Sequence, residues 1–463
     1  MLLDRPLITE RKAQRCKQIF SAVALLLLLI FPGQCLARKA GNHFFTAAEA
    51  VPVKSGSAHR EREAPQKTLL GQLIAEALQG NPEIQAVERE REAAQHRVKP
   101  AGAFDDPMLE AGVVNLPIES LSFRREDMTM KMLGLSQKLP YPGKRRLRQD
   151  VAVRDAESVG YAYRETVNRV VRDVKVAYFD LALVIESTRL VEKNKQVLEQ
   201  FLKIAEARYA VGQGNQADVL KAQTQLSRMV DELLRLGRER PVIEAELARA
   251  LGRTSDTGAP LPETLRLQET ALQLEALRET ALKERPQLLG LQSMIARSDK
   301  ALDLARKEYY PDFDVRLSYG QRDDMPGGAP REDMISLTVA VNLPVWRKGK
   351  LAPGVAEAAA MHEQALEMYQ AQRNEVSAQL RQQVASAEQS LKSARLYETG
   401  ILPQARLTVE SSLAAYKVNR VDFLTLLDNQ MTVFNYEINY ATALSSYNKA
   451  LAEIDLITGK PGL

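Results

Sequence analysis

The chain has 463 residues, 45% of them hydrophobic and 26% charged, with 63 Lys and Arg against 59 Asp and Glu for a formal net charge of +4. That length suits a large core or a long extended body, and that balance excludes both a disordered chain and a bundle of membrane-spanning helices. A charge so near neutral points to no nucleic-acid partner.

The chain opens on a basic stretch (Arg11, Lys12, Arg15, Lys17), an apolar run from Ile19 to Phe31, a Pro-Gly break and then small residues. This predicts a secretory signal peptide over 1–37, cleaved after Ala37 in Cys-Leu-Ala. The apolar run is too short to serve comfortably as a helical membrane span. Gln34 stands before Cys35 where lipidation needs a small residue, so Cys35 is not expected to carry a lipid. The 2 cysteines, Cys16 and Cys35, both fall in this segment. The mature chain therefore has no disulfide framework and no thiolate metal site. A flexible N-terminal segment is expected over 38–67.

From there the chain is written twice. Pro82 recurs as Pro286, and Leu139-Pro140 recurs as Leu343-Pro344, at one constant offset. Tyr209, Val211, Leu220 and Gln223 recur as Tyr416, Val418, Leu427 and Gln430 at a second. Ordered landmarks at fixed offsets mean a duplicated structural half, far longer than a solenoid unit. The first repeat is predicted over 68–268 and the second over 269–460. Each reads as a helix, two strands, a very long helix, a break, a second helix and a glycine stop.

The first helices are expected at about 68–103 and 270–309, with Asn81-Pro82 and Arg285-Pro286 marking a turn or first helical position near each start. The strands are expected within 107–139 and 312–343. Phe313, Val315, Leu317 and Tyr319 alternate with Asp312, Asp314, Arg316 and Ser318. Ile335, Leu337, Val339, Val341 and Leu343 alternate with Met334, Ser336, Thr338, Ala340 and Asn342. Period two makes one face apolar and the other polar or small. The intervening loop, rich in Gly, Pro and charge, reads as exposed. The first-half strands, about 107–123 and 126–139, alternate less cleanly and put Met128, Met130 and Met132 on one face, where lipid or packing contact is expected rather than copper ligation.

The long helices show period seven. Val170, Ala177, Val184, Val191, Leu198 and Ala205 form one seam, and Val174, Leu181, Thr188, Lys195, Leu202 and Tyr209 another, which implies a left-handed coiled coil. From about 146 to 208 the run is on the order of 95 Å of helix. Its partner, 352–414, carries Pro353 and Gly354 in its first turn and an irregularity at Gly400 and Pro403.

The strands have the length and the two-faced pattern of tilted membrane strands. Four strands cannot close a barrel, and an open edge cannot sit in lipid, so several chains must share one barrel. Two chains would supply eight strands and leave a filled interior. Three would supply twelve and leave a passage. The Leu-Pro marks are then the points where the chain leaves the barrel. A soluble coiled-coil scaffold with small edge sheets is the alternative reading.

These features together resemble the TolC-like outer membrane efflux protein family, above all in "RYAVGQGNQADVLKAQTQL", "AAYKVNRVDFLTLLDNQMTV" and the two strand exits. "QKLPYPGKRRLR" and "YYPDFDVRLSYG" are most similar to its heavy-metal efflux branch. The resemblance implies a mostly α protein with a small membrane β part: a homotrimer sharing a twelve-stranded barrel above a helical tunnel. It also implies a passive exit duct for small solutes, heavy-metal cations first, in the outer membrane of a Gram-negative bacterium. The implied partners are a periplasmic adaptor and an inner-membrane pump of the resistance-nodulation-division type. A type I protein-secretion duct is the alternative within the class, and a periplasmic adaptor outside it.

By the same resemblance, Asp218, Tyr416, Arg420 and Asp428 belong to the periplasmic gate, and Arg208, Tyr209, Val211, Gly212 and Val418 to the adaptor-contacting tip. Val421 stands where the family places an arginine, and Asn419 where it places glycine. His43, His59, His96 and His362 form no pair at ligand spacing. Basic "GKRRLR" is expected to meet lipid head groups or acidic side chains. With no nucleophile–base–orienter set and no phosphate loop, neither enzyme activity nor a cofactor is expected.

Overall fold

The computed structural model describes residues 68–254, 262–263, 266–267 and 269–460. The expected signal peptide, the 38–67 segment, Cys16, Cys35, His43 and His59 lie outside these residues.

Each anticipated first helix is two helices. The first half has α1 (Leu69–Gly80) and α2 (Pro82–Ala101). Asn81, at ψ 119°, turns the chain; its Oδ1 accepts the amides of Glu83 and Ile84. Pro82 then starts α2 with a fixed φ and no amide to satisfy. Further along come β1 (Met108–Val114), β2 (Met130–Leu139), α3 (Lys144–Ala210) and α4 (Gln216–Leu251). The second half repeats the order with α5 (Leu274–Glu284), α6 (Pro286–Lys307), β3 (Phe313–Gln321) and β4 (Met334–Val341). A π-turn (Arg347–Leu351) leads into α7 (Ala352–Leu396), a second π-turn (Tyr397–Ile401), α8 (Leu402–Lys417) and α9 (Phe423–Thr458). No helix among the described residues is long and apolar enough to cross a membrane; that says nothing of the sheet.

α3 runs unbroken for 67 residues, about 100 Å. Its counterpart is interrupted at the second π-turn. Pro403 has no amide, and its ring collides with the carbonyl four residues back, so one extra residue is absorbed there. The first predicted seam is buried along its whole length, from Val170 to Ala205, against a matching heptad row of α4: Ala222, Met229, Leu236, Ile243 and Ala250. The second seam departs from expectation. Val174 and Leu181 are buried, but Tyr209 is exposed and Thr188 turns its hydroxyl to the Val184 carbonyl. The polar residues at 188 and 195 carry that row out of the core.

Where α3 meets α9 the contact is charged. Arg172 pairs with Glu453 at 2.8 Å, Lys175 with Asp455 at 2.7 Å, Lys449 with Asp180 at 2.6 Å and Lys193 with Glu437 at 2.9 Å. Ladders of this kind set the register of two helices more than they stabilise them.

The four strands form one antiparallel sheet, ordered β1-β2-β3-β4. The β2–β3 pairing joins the two repeats, and β1 and β4 are its edges. The register aligns Leu135, Leu317 and Leu337 in one row, Leu139, Phe313 and Val341 in another, and Leu133, Tyr319 and Ile335 in a third. One face is thus apolar, interrupted by Lys131 and Gln137. The other carries Ser136, Arg316 and Thr338, with Arg316 bound to Glu110 at 3.0 Å.

Met130 and Met132 share one face of β2, as expected, and it is the polar face: they lie opposite Val114 and Gly112, with Met132 in the row of Gly320. The glycine leaves the room that the Met130 thioether occupies. Met128 precedes the strand. β1 ends at Val114 rather than near 123, because Asn115 adopts φ 55° and Thr129 hydrogen-bonds its carbonyl at 2.7 Å. β4 ends at Val341; the Asn342 amide still reaches the Asp312 carbonyl in register, and Pro344, which has no amide to offer, stops the pairing beyond it.

The glycine stops have a shared geometry. Gly252 (φ 77°) caps α4 against the backbone of Asn81 and Pro82, and Gly459 (φ 73°) caps α9 against Arg285 and Pro286. A Cβ at either would lie under 3.0 Å from main-chain atoms. Gly252→Ala and Gly459→Ala should each destabilise the protein by at least ~1 kcal/mol, because no flexible side chain can yield. Gly237→Ala, inside α4 with nothing within 4 Å, should instead stabilise by about 0.5–1 kcal/mol. Thermal midpoints of the three variants in detergent check the sign of each change.

Candidate functional site

Two tight turns close the helical hairpins at one end of the coiled coil. In the first, α3 stops at Ala210, Gly212 adopts φ 72°, and the Gln213 amide bonds back to the Arg208 carbonyl at 2.9 Å. Asn215 caps α4 by accepting the Ala217 amide. In the second, α8 stops at Lys417, and the Arg420 amide bonds to the Ala415 carbonyl at 2.9 Å. Asn419 takes the left-handed position at φ 60°. That explains why asparagine serves where glycine is usual, since asparagine is among the few residues that tolerate this region. Asp422 caps α9 through the Thr425 amide at 3.0 Å.

The named residues divide into two groups. Arg208 reaches across from the first turn to the second. Its guanidinium lies 4.4 Å from the Tyr416 ring centroid, Nη1 donates to the Tyr416 carbonyl at 2.6 Å, and Nη2 donates to the Gln213 carbonyl at 3.3 Å. The Tyr416 ring is buried beside Phe423, their centroids 5.6 Å apart. Burial pushes the Tyr416 phenol up; Arg208 pulls it down, and the nearby Asp218 carboxylate adds to the rise. Tyr209, Val211 and Val418 face outward, as exposed apolar side chains. Arg420 and Asp428 are also exposed.

This differs from the sequence expectation in two respects. Arg208, assigned to the outer contact set, is committed to an internal clasp between the two turns. Tyr416, assigned to the gate together with two aspartates, has its ring packed in the core. Among the described residues no hydrogen bond joins Tyr416 to Asp218 or Asp428, and Arg420 makes no ion pair. Arg208 was readable as a tip residue, but its partner lies across the duplication and has no local signal.

A buried polar layer above the turns escaped sequence reading altogether. Glu437 receives Lys193 at 2.9 Å and Arg406 at 2.6 Å. The Gln430 amide donates to Asn194 Oδ1 at 2.9 Å. Gln430 and Glu437 stand at sevens from Phe423, in a seam otherwise apolar, which was the available signal. Burial acts to raise the Glu437 carboxyl, but the two cations outweigh it and hold the group below its ordinary range.

At the opposite end, the first Leu-Pro leads to a closed joint. Lys144 is 1% exposed, and its Nζ donates to Asp312 at 2.9 Å, Glu308 at 3.1 Å and the Tyr310 carbonyl at 3.0 Å. Tyr141 stacks on Tyr310 with centroids 4.6 Å apart. Arg145 lies over Phe104 and donates twice to the Gly102 carbonyl. The first two cations of "KRRLR" are therefore internal fasteners. Among the described residues, no group of three or more His, Cys, Asp or Glu side chains is placed to hold a metal ion. His362 instead contacts the Ser298 hydroxyl at 3.1 Å.

Comparison with known proteins adds the following. A family model described as outer membrane efflux protein matches residues 73–253 and again 277–460. The cobalt-zinc-cadmium resistance protein CzcC of Cupriavidus metallidurans is 21% identical over 446 residues, spanning 96% of this chain and 100% of that one. Among solved structures, the outer membrane protein VceC of Vibrio cholerae matches with a TM-score of 0.72 at 18% identity, over 84% of this chain and 96% of that one. CusC, described in terms of transmembrane channel formation, matches with a TM-score of 0.72 at 14% identity, over 87% and 95%.

The polar layer yields a pH test. Because the folded Glu437 carboxyl titrates below its unfolded value near ~4.3, its contribution is full above that pH and disappears as pH falls through the folded value. Glu437→Gln should cost about 1–3 kcal/mol at pH 7. Melting curves of native and variant protein between pH 7 and pH 3 should converge at the acid end. A gap that stays constant would show that the charge is not what stabilises this layer.

Proposed function

The chain belongs to the outer membrane efflux protein family, and we infer that it is the exit duct through which a tripartite pump expels heavy-metal cations. The family and the fold are those of passive channels. One observation carries the reading: a four-stranded sheet with one apolar face and two open edges, joined directly to about 100 Å of coiled coil. Such a sheet can enter lipid only when further copies pair its edges. Three copies would give twelve strands with the Arg316–Glu110 face turned to the passage. The cargo assignment is supported by the full-length correspondence with a cobalt-zinc-cadmium resistance protein. A pump of the resistance-nodulation-division type and a periplasmic adaptor complete the assembly, the adaptor meeting Tyr209, Val211 and Val418.

A host strain deprived of this chain should become sensitive to cobalt, zinc and cadmium, and the native chain should restore tolerance. Thr338→Arg, on the passage face, should restore it too. Val339→Arg should not, because a charge on the lipid face costs roughly 2–4 kcal/mol near the bilayer midplane. Unchanged metal tolerance on loss of the chain would retire the cargo assignment, and equal behaviour of the two variants would retire the assignment of faces.

The tips form the periplasmic constriction in this reading, with Arg208 as the strap that keeps the second turn against the first. Arg208→Ala should raise single-channel conductance in planar bilayers without reducing trimer yield, while Arg420→Ala, at an exposed position without an ion pair among the described residues, should leave it unchanged. Equal conductance in both would return Arg208 to a packing role.

A further inference from the structure

The two strand exits arose from one duplicated pattern, yet they end differently. The first folds its leading cation inward: Lys144 is satisfied by Asp312, Glu308 and a carbonyl. The second, "LPVWRKGK", leaves everything outside. Leu343 is 68% exposed, Val345 67% and Trp346 75%. Arg347, Lys348 and Lys350 follow within the π-turn Arg347–Leu351 and are exposed as well. Among the described residues none of these three cations makes an ion pair, whereas Lys144 and Arg146 at the first exit both do. The nearest acid further along, Glu357, is exposed and equally unpaired with them.

Backbone geometry presents the group as a unit. The Val345 amide bonds to the Leu343 carbonyl and the Arg347 amide to the Val345 carbonyl, both at 2.9 Å, while the Lys350 amide returns to the Trp346 carbonyl at 3.1 Å. Two tight turns and a wide helical turn thus project three apolar side chains and three cations beside the end of β4. The apolar part continues the row of exposed Leu337, Val339 and Val341 on that strand.

We propose that this exit is a binding site for the head groups of anionic phospholipids in the periplasmic leaflet. The proposal rests on the reading of the sheet as the part that spans the bilayer. An indole prefers the depth where acyl chains give way to head groups. Unpaired cations displaced toward water from that depth meet lipid phosphates. Neutral-headed lipids also carry a phosphate, but their own cationic group cancels it, so the three cations select lipids with net negative charge. The first exit turns Lys144 and Arg145 inward and pairs Arg146 with Asp150, so it offers fewer free cations at that depth.

Trp346 is the chain's 1 tryptophan, so its fluorescence reports this site alone. The full-length protein, reconstituted in vesicles, is compared at one fixed molar fraction of brominated lipid. The bromine is carried in one series by phosphatidylglycerol in a phosphatidylcholine background, and in the other by phosphatidylcholine in a phosphatidylglycerol background. Brominated phosphatidylglycerol should quench Trp346 more effectively by roughly fivefold. The triple variant Arg347→Gln, Lys348→Gln, Lys350→Gln should quench equally in both series while keeping native conductance. Equal quenching in the native protein overturns the head-group selectivity. No quenching in either series with normal conductance means that a second copy covers Trp346; this overturns the site and leaves the duct standing. Neither quenching nor conductance overturns both.

Discussion

Two strand edges without partners govern this structure. β1 and β4 each present a row of backbone donors and acceptors with which no other strand among the described residues pairs. In water such a row is a hazard, and in hydrocarbon it is untenable, since each unpaired group costs several kcal/mol. The apolar face of the same sheet is a poor surface for water. Both problems have one solution, in which copies of the chain pair edge to edge and turn the apolar face outward. The duplication is then economical: two strand pairs per chain halve the number of chains that a ring of given size requires. The central β2–β3 pairing fastens the two repeats together at this end.

A sheet of this kind must hand its strands to helices without fraying. The first joint does so with a buried ammonium. Removing Lys144 from water is costly, and two carboxylates and a carbonyl repay that cost only in one geometry. Such an arrangement adds little net stability. It does fix how α3 leaves β2 relative to the segment that leads from α6 into β3, because Glu308, Tyr310 and Asp312 all lie there. The glycine caps at Gly252 and Gly459 act similarly lower down, pressing each helical hairpin onto an X-Pro corner.

Polar contacts between the halves recur along the coiled coil, from Arg172–Glu453 and Lys175–Asp455 through Asn194, Gln430 and Glu437 to the Arg208 clasp. An apolar seam would hold the hairpins together whatever their relative rotation. A seam of paired charges and amides holds them in one register and can be exchanged for water at modest cost, since Lys193 and Arg406 are half-exposed.

Much of this was legible in the sequence, because it rests on local periodicity. Sevens placed the long helices, twos placed the strands, prolines and glycines placed the breaks, and the constant offsets exposed the duplication. The tips were recognisable through the family resemblance that "RYAVG" and "AYKVN" carry, and the structure puts left-handed residues, Gly212 and Asn419, in those turns. Tertiary structure alone decided which polar groups are inside and whom they meet. Lys144 sits in a basic run expected to meet lipid head groups or acidic side chains, and folding chooses Asp312 and Glu308 for it; Arg208 answers to a carbonyl on the other repeat, and Met130 and Met132 fall on the polar face of the sheet. Periodicity specifies that side chains alternate, but which side of a sheet or helix becomes interior depends on partners brought close by folding from far along the chain.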